Sequence, residues 1–73
     1  MTREEAIQKL LETDEEFKNW YEEHKELKWK VHKLEKHFPP DPELEAEQER
    51  LKRRKLYLKD LMEARIKEFL SKQ

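Results

Sequence analysis

Two apolar stripes of one period, parted by Pro39-Pro40 in a chain with no glycine, leave this sequence very few folds. In FKNWYEEHKELKWKVHKLE, residues 17–35, the positions Phe17, Trp20, His24, Leu27, Val31 and Leu34 recur at alternating steps of three and four. That recurrence keeps one side of a helix turned toward a neighbour, as in a coiled-coil seam. Leu44, Gln48, Leu51, Lys55, Leu58, Met62, Arg65 and Phe69 step the same way downstream. Between the stripes, HFPPD stops a helix, because proline removes a backbone donor and disfavours helical geometry in the residue before it. A short connection between two long helices makes them antiparallel neighbours. Folding the second stripe back on the first pairs Leu34 with Leu44, Val31 with Gln48, Leu27 with Leu51 and His24 with Lys55. Trp20 then meets Leu58, Phe17 meets Met62, and Leu10 falls near Phe69, so paired numbers total about 79 throughout.

Helix starts are written in the sequence. Thr2 with Glu5, and Thr13 with Glu16, have the spacing of a capping box, with Asp14 as the alternative second cap. Asp41 before Pro42 sets an N-cap ahead of a proline at the first helical position, where no N–H is needed. The expected architecture is all-α: a short helix at 3–12, a long one at 14–37, a turn at 38–41 and a second long one at 42–70, forming a single hairpin domain.

With 73 residues, 34% hydrophobic and 48% charged, the chain has a small core to build. It contains no cysteine, so disulfides and thiolate metal sites are excluded. Regular helix packing and association with other chains remain as sources of stability. Disorder is disfavoured because the apolar residues are periodic and the net charge is only −1. Residues 1–49 carry 8 Lys/Arg against 15 Asp/Glu, and residues 50–73 carry 9 against 3. Folded back, the acidic 14–26 stretch lies beside the basic 52–67 stretch, so the asymmetry is satisfied within the hairpin. There is no run of apolar residues long enough for a membrane span, and the N-terminus lacks the pattern of a secretory signal. A soluble cytoplasmic protein is expected.

A two-helix hairpin uses one stripe per helix, and the last helix has more. Leu56, Tyr57, Leu61, Ile66 and Leu70 lie off its seam, and Ile7, Leu10 and Leu11 cover only some of them. Each apolar side chain left wet forgoes roughly 1.5–3 kcal/mol. A homo-oligomer, most simply a dimer, is therefore expected, with these five residues as contacts. Trp29 lies opposite the seam among Lys25, Glu26, His32 and Lys33, and tryptophan is enriched at contact hot spots. It is the candidate for an external protein contact.

His24 reads as a polar seam layer with Lys55. A metal site would need further ligands three or four residues away, and those positions are Trp20, Tyr21, Leu27 and Lys28. With Lys55 opposite, the imidazole is expected to stay neutral, and Glu23 is within reach of Lys55. His32 with Glu35 offers only two ligands and reads as surface. No glycine-rich phosphate loop and no nucleophile–base pair occurs, so no catalysis, cofactor or metal is expected. The stretch ERLKRRKLYLK offers Arg50, Arg53, Arg54 and Lys59 to a phosphate backbone, with Tyr57 for stacking. A nucleic-acid or ribosome accessory role is the alternative to a protein-contact role.

FKNWYEEHKELKWKVHKLEK followed by RLKRRKLYLKDLM resembles the YdcH-like family of small bacterial proteins of unknown function. The matching positions are Phe17, Trp20, His24, Leu27, Val31, Leu34 and Glu35, then Lys55, Leu56, Leu58, Lys59 and Asp60. The resemblance runs over about residues 8–66. It departs at Trp20, where the family has a smaller aliphatic, and at Trp29, usually polar. The resemblance implies a cytoplasmic helical hairpin and supplies no activity.

Overall fold

A computed structural model describes residues 1–36 and 41–72. Three helices run in order, α1 Arg3–Thr13, α2 Glu15–Glu35 and α3 Pro42–Ser71, and no described residue is in a strand. α2 and α3 pack antiparallel as the long arms of a hairpin, and α1 lies against both. The expected turn residues 38–40 and the last expected residue of α2, His37, lie outside the described residues. α2 ends at Glu35, with Lys36 as its cap.

Side-chain caps set each helix start. Thr2 Oγ1 accepts from the Glu5 N–H at 3.2 Å, the expected first cap. At the second start the structure selects Asp14 over Thr13: its carboxylate accepts from the Phe17 N–H at 3.0 Å. Thr13 instead donates its hydroxyl back to the Lys9 carbonyl at 2.7 Å, ending α1 rather than starting α2. Asp14 serves both helices, since its own N–H donates to the Leu10 carbonyl at 2.8 Å. Its backbone is extended, with φ −119° and ψ 102°, so α1 and α2 are separate helices. Asp41 accepts from the Glu43 N–H at 2.9 Å with Pro42 at the first position of α3. Replacing Asp41 by Ala is expected to cost about 1 kcal/mol. Thermal melts would register it as a drop of several degrees.

The buried residues are Ala6 and Leu10 of α1, Phe17, Leu27 and Val31 of α2, and Leu58, Met62 and Ile66 of α3, with no buried polar residue among those described. Every seam position read from the sequence is buried or half-buried. Ala6, Leu10, Phe17, Met62 and Ile66 form one cluster, with Ile7, Leu11, Trp20, Phe69 and Leu70 packed on it. The core is thus thickest where α1 adds a third layer. Toward the turn only two helices meet, and Leu34, Leu44, Gln48 and Leu51 are half-buried.

Ion pairs lace the acidic arm to the basic one. Arg65 binds Asp14 and, at 2.7 Å, Glu16, while Arg54 binds Glu23 at 2.6 Å. Glu23 therefore goes to Arg54, correcting the expectation that it reaches Lys55. The Asp14–Arg65 and Glu23–Arg54 pairs total 79 and 77, close to the expected register. The Lys52–Glu35 pair, at 3.4 Å, totals 87, so that register does not describe the ionic contacts at the turn end. Arg3 pairs with Glu63 and ties α1 to α3.

Candidate functional site

The flank where α2 and α3 lie side by side carries two adjoining grooves. One, of about 490 Å³, is lined by Lys25, Lys28, Trp29, Val31, His32, Glu35 and Lys55. The other, of about 390 Å³, continues toward α1 between Ile7, Tyr21, His24, Leu56 and Lys59, with Phe17, Met62 and Ile66 in its walls. Lys28 and Lys55 line both, so the two grooves adjoin at these lysines as an open channel on this flank.

The packing explains why this channel exists. His24 and Lys55 occupy seam positions that an aliphatic pair would close. A polar layer keeps its heads at the edge of the interface, and both residues are half-buried. Tyr21 lies three residues before His24 and Lys28 four after it, so the helix sets both on the same side as the imidazole. Leu56 follows Lys55 and carries the apolar surface out of the seam. The channel consequently has a cationic middle and an aromatic residue toward each end, Trp29 and Tyr21.

Trp29 is 60% exposed, Leu56 57%, Tyr57 53% and Tyr21 40%. The indole of Trp29 stands edge-on to the His32 ring, centroids 6.2 Å apart. Its position on α2 is on the side away from the seam, as the sequence suggested, and its side chain lines the outer edge of the groove that Val31 and Lys55 also line. A helix turns 100° per residue, so two positions from Leu27 or from Val31 is 200° of rotation, which sets the Trp29 backbone away from the seam, and only its long side chain reaches the groove edge.

The five oligomer-contact candidates divide. Ile66 is buried in the cluster beneath α1, and Leu70 packs on that cluster, so α1 covers both within the chain. This corrects the expectation that Ile66 is an outward contact. Leu61 is half-buried. Leu56 and Tyr57 remain exposed. Tyr57 carries the Arg54 guanidinium 5.3 Å from its ring centre.

The charges in the channel are unbalanced. Among the described residues, Lys28, Lys55 and Lys59 make no ion pair, whereas Arg3, which also lines the channel, is held by Glu63. Burial, followed by the ammonium groups of Lys55, Lys28 and Lys59, holds the His24 imidazole below its ordinary value of 6.5. The unfolded chain therefore binds a proton at His24 at a higher pH than the folded one does. Its contribution to stability is fully present above about pH 6.5 and is lost as pH falls through the lower folded value. Melting temperatures across roughly pH 5–8 should decline more steeply toward acid in the parent chain than in His24→Gln. Equal slopes would contradict the placement of His24 among these lysines.

The nucleic-acid candidates are brought together only in part. Arg50 and Arg53 lie along Glu43, Glu47 and Glu49, with Arg53 bound to Glu49 at 3.1 Å. Arg54 is held by Glu23, and Lys59 lines the channel. Among the described residues no three His, Asp or Glu side chains are gathered where a metal ion would sit, and no helix is long and apolar enough to cross a membrane. Sequence reasoning missed Tyr21 and Lys28 as site residues because it tested them only as metal ligands of His24.

Residues 17–66 match a family model described as a protein of unknown function, DUF465, which is the YdcH-like group that the sequence resembles. That span covers more than half of the chain and contains most of both arms of the hairpin. No curated protein and no solved structure matches.

Proposed function

We propose a function for a chain that belongs to the DUF465 family: it works by self-association and protein–protein contact along the α2/α3 channel. The observation that supports this is the collection of Tyr21, Leu56 and Trp29, all exposed, along two adjoining grooves with Lys28, Lys55 and Lys59, which make no ion pair among the described residues. Single exposed hydrophobes are ordinary on a protein surface; here Tyr21 and Leu56 line one groove and Trp29 lines the next, which supports reading this flank as a contact surface. The α2/α3 flank offers the geometry used by proteins that seat an amphipathic helix against apolar anchors. The adaptor or structural role expected from sequence is a role of this kind.

The alternative, phosphate-backbone binding by Arg50, Arg53, Arg54 and Lys59, has less support. Two of the four guanidinium or ammonium groups are already engaged by carboxylates, and Lys59 lines a different groove from Arg50 and Arg53. Sedimentation equilibrium tests the leading reading. The expected result is a mass near twice the 9.2 kDa of one chain. A single folded species of one-chain mass at every concentration would rule self-association out. Retention on nucleic acid that weakens steeply with salt would favour the alternative.

A further inference from the structure

Ile7 and Tyr21 line two grooves at once and form a ridge between them. On one side lies the cationic groove with Lys28, Lys55 and Lys59. On the other, along α1, lie Glu4, Glu5, Gln8 and Glu12, with Lys9 as the one cation among the described residues that line that groove. None of Glu4, Glu5 and Glu12 makes an ion pair among the described residues. One continuous surface thus carries positive and negative halves on either side of an apolar line.

We propose that the partner in the cationic groove is the α1 surface of a second copy, paired about a two-fold axis that runs along the Ile7–Tyr21 ridge. The proposal rests on the self-association reading above and specifies its geometry. An isologous pair presents the same patch from both subunits. An axis along the ridge turns each copy's acidic half over its partner's basic half, twice per dimer. It also brings the exposed Tyr21 rings toward each other along the line of half-buried Ile7. An axis across the ridge would set acid on acid and base on base, so the charge pattern selects between the two arrangements. The pattern also favours a second copy over an unrelated acidic helix. Such a helix would satisfy the lysines and leave Glu4, Glu5 and Glu12 unmatched.

The test is a pair of charge reversals at exposed residues, checked for helical content by circular dichroism. Lys28→Glu with Lys59→Glu reverses the basic half, and Glu4→Lys with Glu12→Lys reverses the acidic half. Lys55 and Glu5 are left alone, because one is in the seam and the other is in the α1 cap. Each doubly reversed chain should dissociate on the order of 100-fold more readily than the parent, since like charges then face each other. Mixed in equal amounts, the two should form a heterodimer about as stable as the parent dimer, because both contacts become opposite in sign again. A parent chain that is monomeric would overturn the self-association reading together with this geometry. A parent dimer indifferent to both reversals would overturn this geometry alone. So would a dimer weakened by the lysine reversals only, or a mixture that stays monomeric.

Discussion

Phe17→Ala is expected to leave the chain largely unfolded at room temperature, and Leu58→Ala to come close to doing so. Phe17 is 1% exposed and Leu58 0%, the two largest side chains that are fully buried. Phe17 sits where all three helices meet, in contact with the cluster that contains Ala6, Leu10, Met62 and Ile66. Truncating a buried phenylalanine costs about 3–5 kcal/mol, and a buried leucine about 2–5, because transfer free energy is lost and a cavity remains. A single small core supplies only about 3–5 kcal/mol of net stability. The loss is therefore comparable to the whole. Far-ultraviolet circular dichroism with urea titration gives the answer, and Glu47→Ala, at an exposed position of α3, is the control expected to change stability by less than about 0.5 kcal/mol. A cooperative, parent-like unfolding curve for Phe17→Ala would contradict the three-helix core.

Arg65→Met is expected to give the second largest loss, about 1–2 kcal/mol, through a residue that sequence reading treats only as a seam position. Its guanidinium binds Asp14, binds Glu16 at 2.7 Å and lies 4.8 Å from the Trp20 ring centre. Asp14 caps α2 and closes α1, so Arg65 fixes from α3 the corner between the other two helices. Hydrogen bonds to charged groups contribute roughly 1.5–3 kcal/mol when shielded. The Arg65 and Asp14 side chains are 29% and 21% exposed, and the Glu16 arm is mostly in water, which brings the estimate down. Burial pushes the Asp14 carboxyl up, but the Phe17 N–H and then Arg65 outweigh it and leave it below its ordinary value. A lowered carboxylate stabilises the fold above its unfolded value and stops doing so as pH falls through the folded one. In Arg65→Met that acid-side decline should flatten, and in Asp14→Asn it should flatten further. A double-mutant cycle on these two residues measures their coupling, and a coupling near zero would contradict the corner described here.

The hairpin was legible because its determinants are local and periodic. Steps of three and four announce the seam, prolines announce the bend, and Asp41-Pro42 announces the restart, each with a direct steric or hydrogen-bonding cause. The matched register placed Phe17 with Met62 and Leu10 near Phe69; the first three belong to the cluster of α1, α2 and α3, and Phe69 packs on it. The Arg65–Asp14 pair was contained in the same register, since 65 and 14 also total 79, but the seam reading paired apolar layers and passed over it. The competition between Thr13 and Asp14 was not decidable from spacing, because both can cap, and only the extended backbone at Asp14 separates them. The coverage of Ile66 and Leu70 depended on where α1 packs, which no period encodes. The helical wheel sets Trp29 away from the seam, and no period encodes that its side chain reaches around to the groove edge. The channel itself arises from a seam layer that is polar, and its meaning depends on which neighbours stay unpaired after folding.

The groove, the core and the dimer geometry all require α2 and α3 to lie antiparallel with His24 and Lys55 at one level. Through-space proton contacts in an isotope-labelled sample read this directly. The His24 ring should show contacts to the Lys55 side chain, and Trp20 should show contacts to Arg65. A continuous α2–α3 rod, with residues 24 and 55 showing no mutual contact, would contradict the account at its foundation.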